Sequence, residues 1–124
     1  MADEIKLRGS LIVEKGTLKR KRIQSLSKFT LTASDPQVSG GTQKIGTAAG
    51  GEAIGLNDVT TVGWAYLKNL DGTNFIEVGA ESGGTFHPAI KLLAGEWCFV
   101  PLTGTPFARA DTAEASLEFE IYDR

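Results

Sequence analysis

The chain has 124 residues, enough for one domain of ordinary size, and 41% of them are hydrophobic, enough to form a core. Because Cys98 is the only cysteine, the composition excludes an intrachain disulfide and a cysteine-rich zinc site. No apolar run approaches the roughly 20 residues of a membrane-spanning helix, and residues 1–10 lack the apolar stretch of a secretory signal.

Alternation of apolar and polar residues predicts β-strands along the chain, and no segment has a long 3.6-residue period. The predicted strands cover residues 5–14, 18–26, 28–34, 62–67, 75–78, 89–93, 96–102 and 113–122. Segments 62–67 and 96–102 have apolar residues on both faces, which predicts burial. In the last strand the side chains expected to point inward are Ala115, Leu117, Phe119 and Ile121. About eight strands separated by turns predict an all-β, antiparallel β-sandwich, with the jelly roll as one form of it.

We expect one domain over residues 1–124, with residues 1–15 as a candidate docking arm. Residues 34–58 contain six glycines and no aromatic residue, and we interpret them as a long Gly-rich loop with one short strand near 42–45. Loops of this length are uncommon in compact domains and often contact another molecule.

The segment NLDGTNFIEVG (Asn69–Gly79) has two interpretations, a metal-binding loop or a hairpin turn. An EF-hand loop that starts at Asn69 would have Asn74 at the position that requires glycine, so the EF-hand pattern fails. Asp71-Gly72 suits a tight turn, which favours a hairpin with residues 74–79 as the return strand. A calcium site of another kind stays open as the alternative.

Other patterns for chemistry are incomplete. Residues 41–47 have the glycine spacing of a phosphate-binding P-loop, but Thr47 stands where lysine is required. His87 is the only histidine, so a cupin-like metal site of several histidines is excluded, and Cys98 is predicted to be a buried, unreactive thiol. We therefore predict no catalytic, cofactor-binding or metal-binding residues, no small-molecule substrate, and a protein that is not an enzyme.

Charge is unevenly distributed along the chain. Residues 1–28 contain eight lysines and arginines against three acidic residues, a net +5, whereas the rest contains five against twelve, a net −7. Such asymmetry is typical of a docking surface or of a head-to-tail contact between copies. The predicted partner contact consists of Lys6, Arg8, Lys19, Arg20, Lys21 and Arg22. The run from Lys19 to Arg22 could bind a nucleic acid backbone, but no aromatic residue for base stacking lies around it, so an acidic protein surface is favoured.

Four segments carry a resemblance to a known class of proteins: TQKIGT (Thr42–Thr47), VGWAYLKNLDGTNFIEVG (Val62–Gly79), FHPAIKLLAGEWCFVPL (Phe86–Leu102) and FARADTAEASLEFEIYD (Phe107–Asp123). In this order they resemble small, β-rich virion structural proteins of tailed bacteriophages. The resemblance extends over Thr42–Asp123, about two thirds of the chain. Its motifs describe strands and turns and carry no catalytic residue.

The resemblance implies a capsid decoration (cement) protein that is made in the cytoplasm of the host bacterium and located on the virion surface. It implies a homotrimer that binds the major capsid protein, whose surface is expected to be acidic, and no cofactor or membrane. The alternative is a tail or head–tail component, including a receptor-binding module in which Trp64, Tyr66 and Trp97 bind carbohydrate.

Overall fold

The computed structural model describes residues 5–33 and 36–124, and in these ranges the chain is all-β and antiparallel, as predicted. The strands are β1 (Ile5–Lys15), β2 (Leu18–Phe29), β3 (Val38–Ile45), β4 (Glu52–Ala53), β5 (Val62–Asn69), β6 (Ile76–Ser82), β7 (Thr85–Leu92), β8 (Trp97–Pro101), β9 (Phe107–Ala110) and β10 (Ala115–Asp123). The described ranges thus contain ten strands where about eight were predicted. Strands β4 and β9 were missed because they have two and four residues, too few for an alternating pattern to be recognised.

The chain divides into two compact units, Met1–Ser34 and Asp35–Arg124. The first unit contains an antiparallel ribbon of β1 and β2, in which Lys15 pairs with Leu18 and Ile5 with Phe29. Gly16, at a φ of +58°, allows the reversal between the two strands. Residues 5–15 of the predicted docking arm are thus one strand of this ribbon, and residues 1–4 lie outside the described residues.

The predicted strand at residues 28–34 is not a separate element. Strand β2 continues to Phe29, residues 30–33 belong to no strand, and residue 34 lies outside the described part of the chain. The register of the ribbon shifts between Leu7 and Gly9, where a bulge interrupts the pairing.

The second unit contains two four-stranded antiparallel sheets. The strand order is β3-β10-β5-β8 in the first sheet and β4-β9-β6-β7 in the second. Both sheets contribute to one hydrophobic core. Its fully buried side chains include Ile45, Leu67, Leu117 and Ile121 from the first sheet, and Ile76, Val78 and Ala108 from the second. The predicted inward face of the last strand is confirmed, because Ala115, Leu117, Phe119 and Ile121 are all buried.

The prediction that residues 34–58 form a long loop is wrong for residues 38–45 and 52–53, which form strands, and the short strand expected near 42–45 is part of β3. Residues 38–45 form β3, which pairs with β10 along its whole length, and residues 52–53 form β4. Gly40 allows close pairing of β3 with β10, because a Cβ there would lie 3.1 Å from the Glu120 side chain. Residues 34 and 35 of the predicted loop lie outside the described residues.

The predicted hairpin at Asn69–Gly79 is also wrong, because β5 and β6 belong to different sheets. Strand β6 instead pairs with β7 through a turn at Gly83 and Gly84, both with positive φ. A bulge follows Val78 in this pair, and a Cβ at Gly79 would lie 2.0 Å from the carbonyl oxygen of His87. Only glycine fits there without a shift of the backbone.

Two buried polar side chains secure the ends of strands in the second unit. The Asn69 side chain donates to the carbonyl oxygens of Asn74 (2.8 Å) and Leu92 (3.0 Å) and accepts from the N–H of Asp71 (2.9 Å). The carboxylate of Asp123 accepts from three backbone N–H groups: Gln37 at 2.9 Å, Thr60 at 2.9 Å and Thr61 at 3.1 Å. These bonds lower the pKa of Asp123, with the Gln37 N–H as the largest cause.

Candidate interaction surfaces

The segment NLDGTN, a candidate metal loop in the sequence, is a turn closed by its own hydrogen bonds. One carboxylate oxygen of Asp71 accepts from the N–H of Thr73 at 2.9 Å and of Asn74 at 2.5 Å. These hydrogen bonds lower the pKa of Asp71, and the bond from the Asn74 N–H is the largest cause. Nowhere in residues 5–33 and 36–124 do three or more His, Cys, Asp or Glu side chains form a group that could hold a metal ion.

The other residues considered for chemistry are not brought together. His87 is exposed on β7, in the second sheet, whereas Cys98 is half-buried on β8, in the first. Desolvation raises the pKa of the Cys98 thiol, although the thiol, which was predicted to be buried, is only half-buried. In the P-loop-like segment the N–H of Gly46 donates to the carboxylate of Glu52 (3.1 Å).

The six cationic residues of the predicted partner contact all lie on the ribbon, but its two faces divide them. Side chains of directly paired residues lie on the same face, and neighbours along a strand lie on opposite faces. Lys19 pairs with Glu14 and Lys21 with Ile12, whereas Arg20 pairs with Val13 and Arg22 with Leu11. In the bulge between Leu7 and Gly9 the extra residue lies on β2, so alternation continues along β1 and brings Lys6 and Arg8 to the same face as Ile12 and Glu14.

We call the face that carries Lys6, Arg8, Lys19 and Lys21 the basic face. We call the opposite face, which carries Leu11, Val13, Leu18, Arg20 and Arg22, the arginine face. Leu11 is 65% exposed and Leu18 51% exposed, and both lie on the same face as Val13, which is 38% exposed. A groove lined by Leu11, Val13, Arg20, Lys21 and Arg22 runs along the ribbon. The arginine face therefore combines apolar contact area with two guanidinium groups.

A second exposed apolar region lies on the first sheet and contradicts the prediction that residues 96–102 form a buried strand. Trp97 is 57% exposed and Phe99 51% exposed, while the intervening Cys98 is half-buried against the core. The rings of Trp97 and Phe99 meet edge to face at 5.3 Å, and Phe99 lies 5.7 Å from the half-buried ring of Tyr66. We call Tyr66, Trp97 and Phe99 the aromatic surface. Because β8 ends the strand order of its sheet, this surface lies at a sheet edge.

Carboxylates adjoin the aromatic surface on the neighbouring strand β10. Glu120 pairs directly with Tyr66, and Glu118 accepts a hydrogen bond of 2.8 Å from the Tyr66 hydroxyl. That bond is the main reason why the pKa of Tyr66 is raised, and the hydroxyl stays a donor. Lys68 on β5 supplies a positive charge in this region, because it pairs with Glu118 of β10 on one side and with Trp97 of β8 on the other.

The outer side of the second sheet differs, because its charged groups are engaged within the chain. The guanidinium of Arg109 contacts the Glu77 carboxylate at 3.0 Å, donates to the Ala49 carbonyl oxygen at 3.3 Å and lies 4.9 Å from the Phe86 ring. The ammonium of Lys91 lies 4.1 Å from the centre of the Phe75 ring. This side is held together by its own contacts.

Comparison of the chain with protein-family models, curated proteins and solved structures returned no match. In the described ranges, the structure has no helix of the length and apolar character needed to cross a membrane.

Proposed function

We propose that this protein is a bacteriophage capsid decoration (cement) protein that binds the outer shell of the virion and stabilises the head. The observation that carries the proposal is the ribbon of β1 and β2, a two-stranded element that carries all six cationic residues of the predicted contact, four of them on the basic face. The resemblance of Thr42–Asp123 to small virion proteins supplies the context. The protein would act by binding alone, without catalysis or a cofactor.

The fold that we propose for the second unit is a β-sandwich of the jelly-roll type. Its support is the shared core of the two four-stranded sheets and the order of their strands. Of the seven connections between β3 and β10, six lead from one sheet to the other, and only β6 and β7 are consecutive neighbours. Frequent crossing between two packed sheets is typical of jelly rolls, which occur in viral capsid proteins.

The basic face would provide the contact with the major capsid protein. An acidic shell surface attracts Lys6, Arg8, Lys19 and Lys21 through many weak ion pairs, each worth about 0.2–1 kcal/mol when exposed. Several copies joined in a homotrimer would bind together, so that weak single contacts add up to stable attachment. A ligand that binds the assembled shell and not its separated subunits stabilises the shell by mass action.

The first test is the copy number of the protein in purified virions, measured by quantitative mass spectrometry against the major capsid protein. Decoration predicts on the order of hundreds of copies in a fixed ratio to the shell protein, as shell symmetry requires. A dozen copies or fewer would place the protein in the tail or at the portal vertex. Absence from virions would refute a virion function altogether.

The second test addresses the contact itself. The double variant Lys19→Glu/Lys21→Glu should bind undecorated shells at least about fivefold more weakly, and its binding should depend less on salt. Lys44→Glu/Lys91→Glu makes the same change in net charge on the second unit and is the control. Equal loss in both variants would mean that overall charge, and not the basic face, drives attachment.

The second candidate function is a tail or head–tail component with a carbohydrate-binding surface. The observation that favours it is the exposure of Trp97 and Phe99, since aromatic rings commonly contact sugars. These two rings are inclined at 65° and do not form one flat platform. A shift in tryptophan fluorescence on addition of a glycan, lost in Trp97→Ser, would support this candidate.

A further inference from the structure

We infer that the arginine face of the ribbon in one copy docks on the aromatic surface of a neighbouring copy, so that the chains assemble head to tail. The inference deepens the proposed function, on which it rests for the trimer, by assigning the two surfaces that join the subunits. The occupant of each surface is a second copy of this chain.

The arginine face exposes apolar side chains that contact with another molecule would bury. A two-stranded antiparallel ribbon is marginally stable in water by itself. Leu11, Val13 and Leu18 nevertheless expose their side chains on one face, at 65%, 38% and 51%. Contiguous exposed apolar area of this kind marks a site of contact with another molecule.

The aromatic surface offers a matching apolar area. Trp97 and Phe99 lie on the edge strand β8, where the side chains of the neighbouring strands do not cover them. Tryptophan, tyrosine and arginine are the residues that dominate the energetics of protein interfaces. One surface of this pair supplies the aromatic side chains and the other supplies the arginines.

The chemistry of the polar groups also matches. The planar guanidinium group can stack flat on an aromatic ring and can bind a carboxylate through two parallel hydrogen bonds, whereas the ammonium of lysine acts as a point charge. Arg20 and Arg22 on the ribbon would thus face Tyr66, Phe99 and the carboxylate of Glu120. The basic face also exposes apolar side chains, Ile12 at 56% and Ile23 at 60%, but it carries one arginine, Arg8, against two on the arginine face, and it remains directed to the shell.

Charge determines which surfaces can meet. Residues 5–33 contain eight lysines and arginines against one glutamate, a net +7, and residues 36–124 contain five against eleven acidic residues, a net −6. Two ribbons repel each other, and so do two copies of the second unit. A ribbon and the second unit of another copy attract each other, which favours a head-to-tail contact over a symmetric one. Because every copy carries both surfaces, such a contact closes into a ring when the rotation allows it.

The test is the association of the full-length protein, measured by sedimentation equilibrium at about 0.5 M salt, where long-range attraction is screened. Arg20→Glu/Arg22→Glu alters the ribbon, and Trp97→Ser/Phe99→Ser alters the aromatic surface. Each should weaken association at least about tenfold, which corresponds to 1.4 kcal/mol. The control Lys19→Glu/Lys21→Glu changes the charge equally on the same strand but on the basic face, and should stay within about threefold of the wild type.

Mixing the two defective chains separates a head-to-tail contact from a symmetric one. The chain with altered arginines retains the aromatic surface, and the chain with Trp97→Ser/Phe99→Ser retains the ribbon. At a protein concentration between the wild-type dissociation constant and the weaker constants of the two variants, each variant alone should be mainly monomeric, whereas an equimolar mixture should form a one-to-one dimer that grows no further. Absence of that dimer, or normal association of the Trp97→Ser/Phe99→Ser chain, would overturn the inference.

The outcome is separable from that of the proposed function. A wild-type protein that binds shells but stays monomeric at all concentrations overturns the inference and leaves capsid decoration intact. A protein that associates as described, but binds no shell and is absent from virions, refutes the proposed function and leaves the contact between copies standing. If Trp97 and Phe99 affect glycan binding and not association, the aromatic surface binds sugar and the inference fails.

Discussion

Replacement of Asn69 by alanine tests how the connection between the two sheets of the second unit is held. The Asn69 side chain is fully buried and makes three hydrogen bonds to backbone groups of Asp71, Asn74 and Leu92. A typical hydrogen bond contributes about 1 kcal/mol net, and a buried group left without a partner costs about 1–3 kcal/mol. The Leu92 bond lies in the interior, whereas those of Asp71 and Asn74 are part-buried and accessible to replacement by water. We therefore expect a loss of about 3 kcal/mol in the free energy of unfolding.

The measurement is urea unfolding followed by tryptophan fluorescence, at one fixed protein concentration because association would also shift the transition. The matched control is Asn74→Ala, in the same turn. The side chain of Asn74 accepts an exposed hydrogen bond of 2.9 Å from the Thr112 hydroxyl. Its loss should cost about 1 kcal/mol or less. Equal costs for the two variants would refute the reasoning, because they would show that the buried bonds of Asn69 contribute no more than an exposed one.

Three further predictions concern the second unit. Phe119→Ala should lower the free energy of unfolding by about 3–5 kcal/mol in urea titrations, because it empties a buried site, whereas the exposed Phe99→Ala should cost about 1 kcal/mol. Gly79→Ala should cost about 2–3 kcal/mol or prevent folding, since its Cβ would overlap a backbone carbonyl, while Gly72→Ala, with open space around it, should be nearly neutral by circular dichroism melting. The folded pKa of Asp123 is lowered, so its contribution to stability is present above its unfolded pKa of about 3.9 and is lost as the pH falls through the folded value. The stability difference between wild type and Asp123→Asn should therefore be largest at pH 7 and shrink towards pH 3 in urea titrations.

Each of these has a result that would contradict it. A small loss in Phe119→Ala would mean that β10 presents its other face to the core. Equal behaviour of the two glycine variants would mean that the bulge after Val78 does not require close backbone approach. A stability difference for Asp123→Asn that does not change with pH would mean that the three N–H bonds do not depend on the charge of the carboxylate.

Strands with one covered face could be recognised from the sequence, and β10 is the clearest case. Its alternation of apolar residues and glutamates specifies which side faces the core, because side chains in a strand point to opposite sides in turn. The same rule applied to β8 led to an error. Trp97 and Phe99 are as apolar as core residues, and no local pattern distinguishes a side chain covered by the same chain from one that is left exposed.

The basic segment could be predicted from the sequence only in part. The sequence identified Lys19–Arg22 as the strongest cluster of charge, and all six predicted contact residues lie on the ribbon. Their division into a basic face and an arginine face required the register of β1 against β2, in which Arg20 opposes Val13 and Lys19 opposes Glu14. A shift of one residue in that register would pair each cation with a different partner.

Local chemistry in the sequence therefore determined the all-β class, the inward side of β10 and the turn at Asp71-Gly72, because alternation and turn propensity act between neighbouring residues. Only the tertiary structure decided that β5 and β6 join different sheets, that the strand in the Gly-rich segment extends over residues 38–45 and pairs with β10, and that Trp97 and Phe99 are exposed. Pairing of strands and coverage of their faces depend on residues far apart in the chain, such as β3 and β10. No window of the sequence contains both partners.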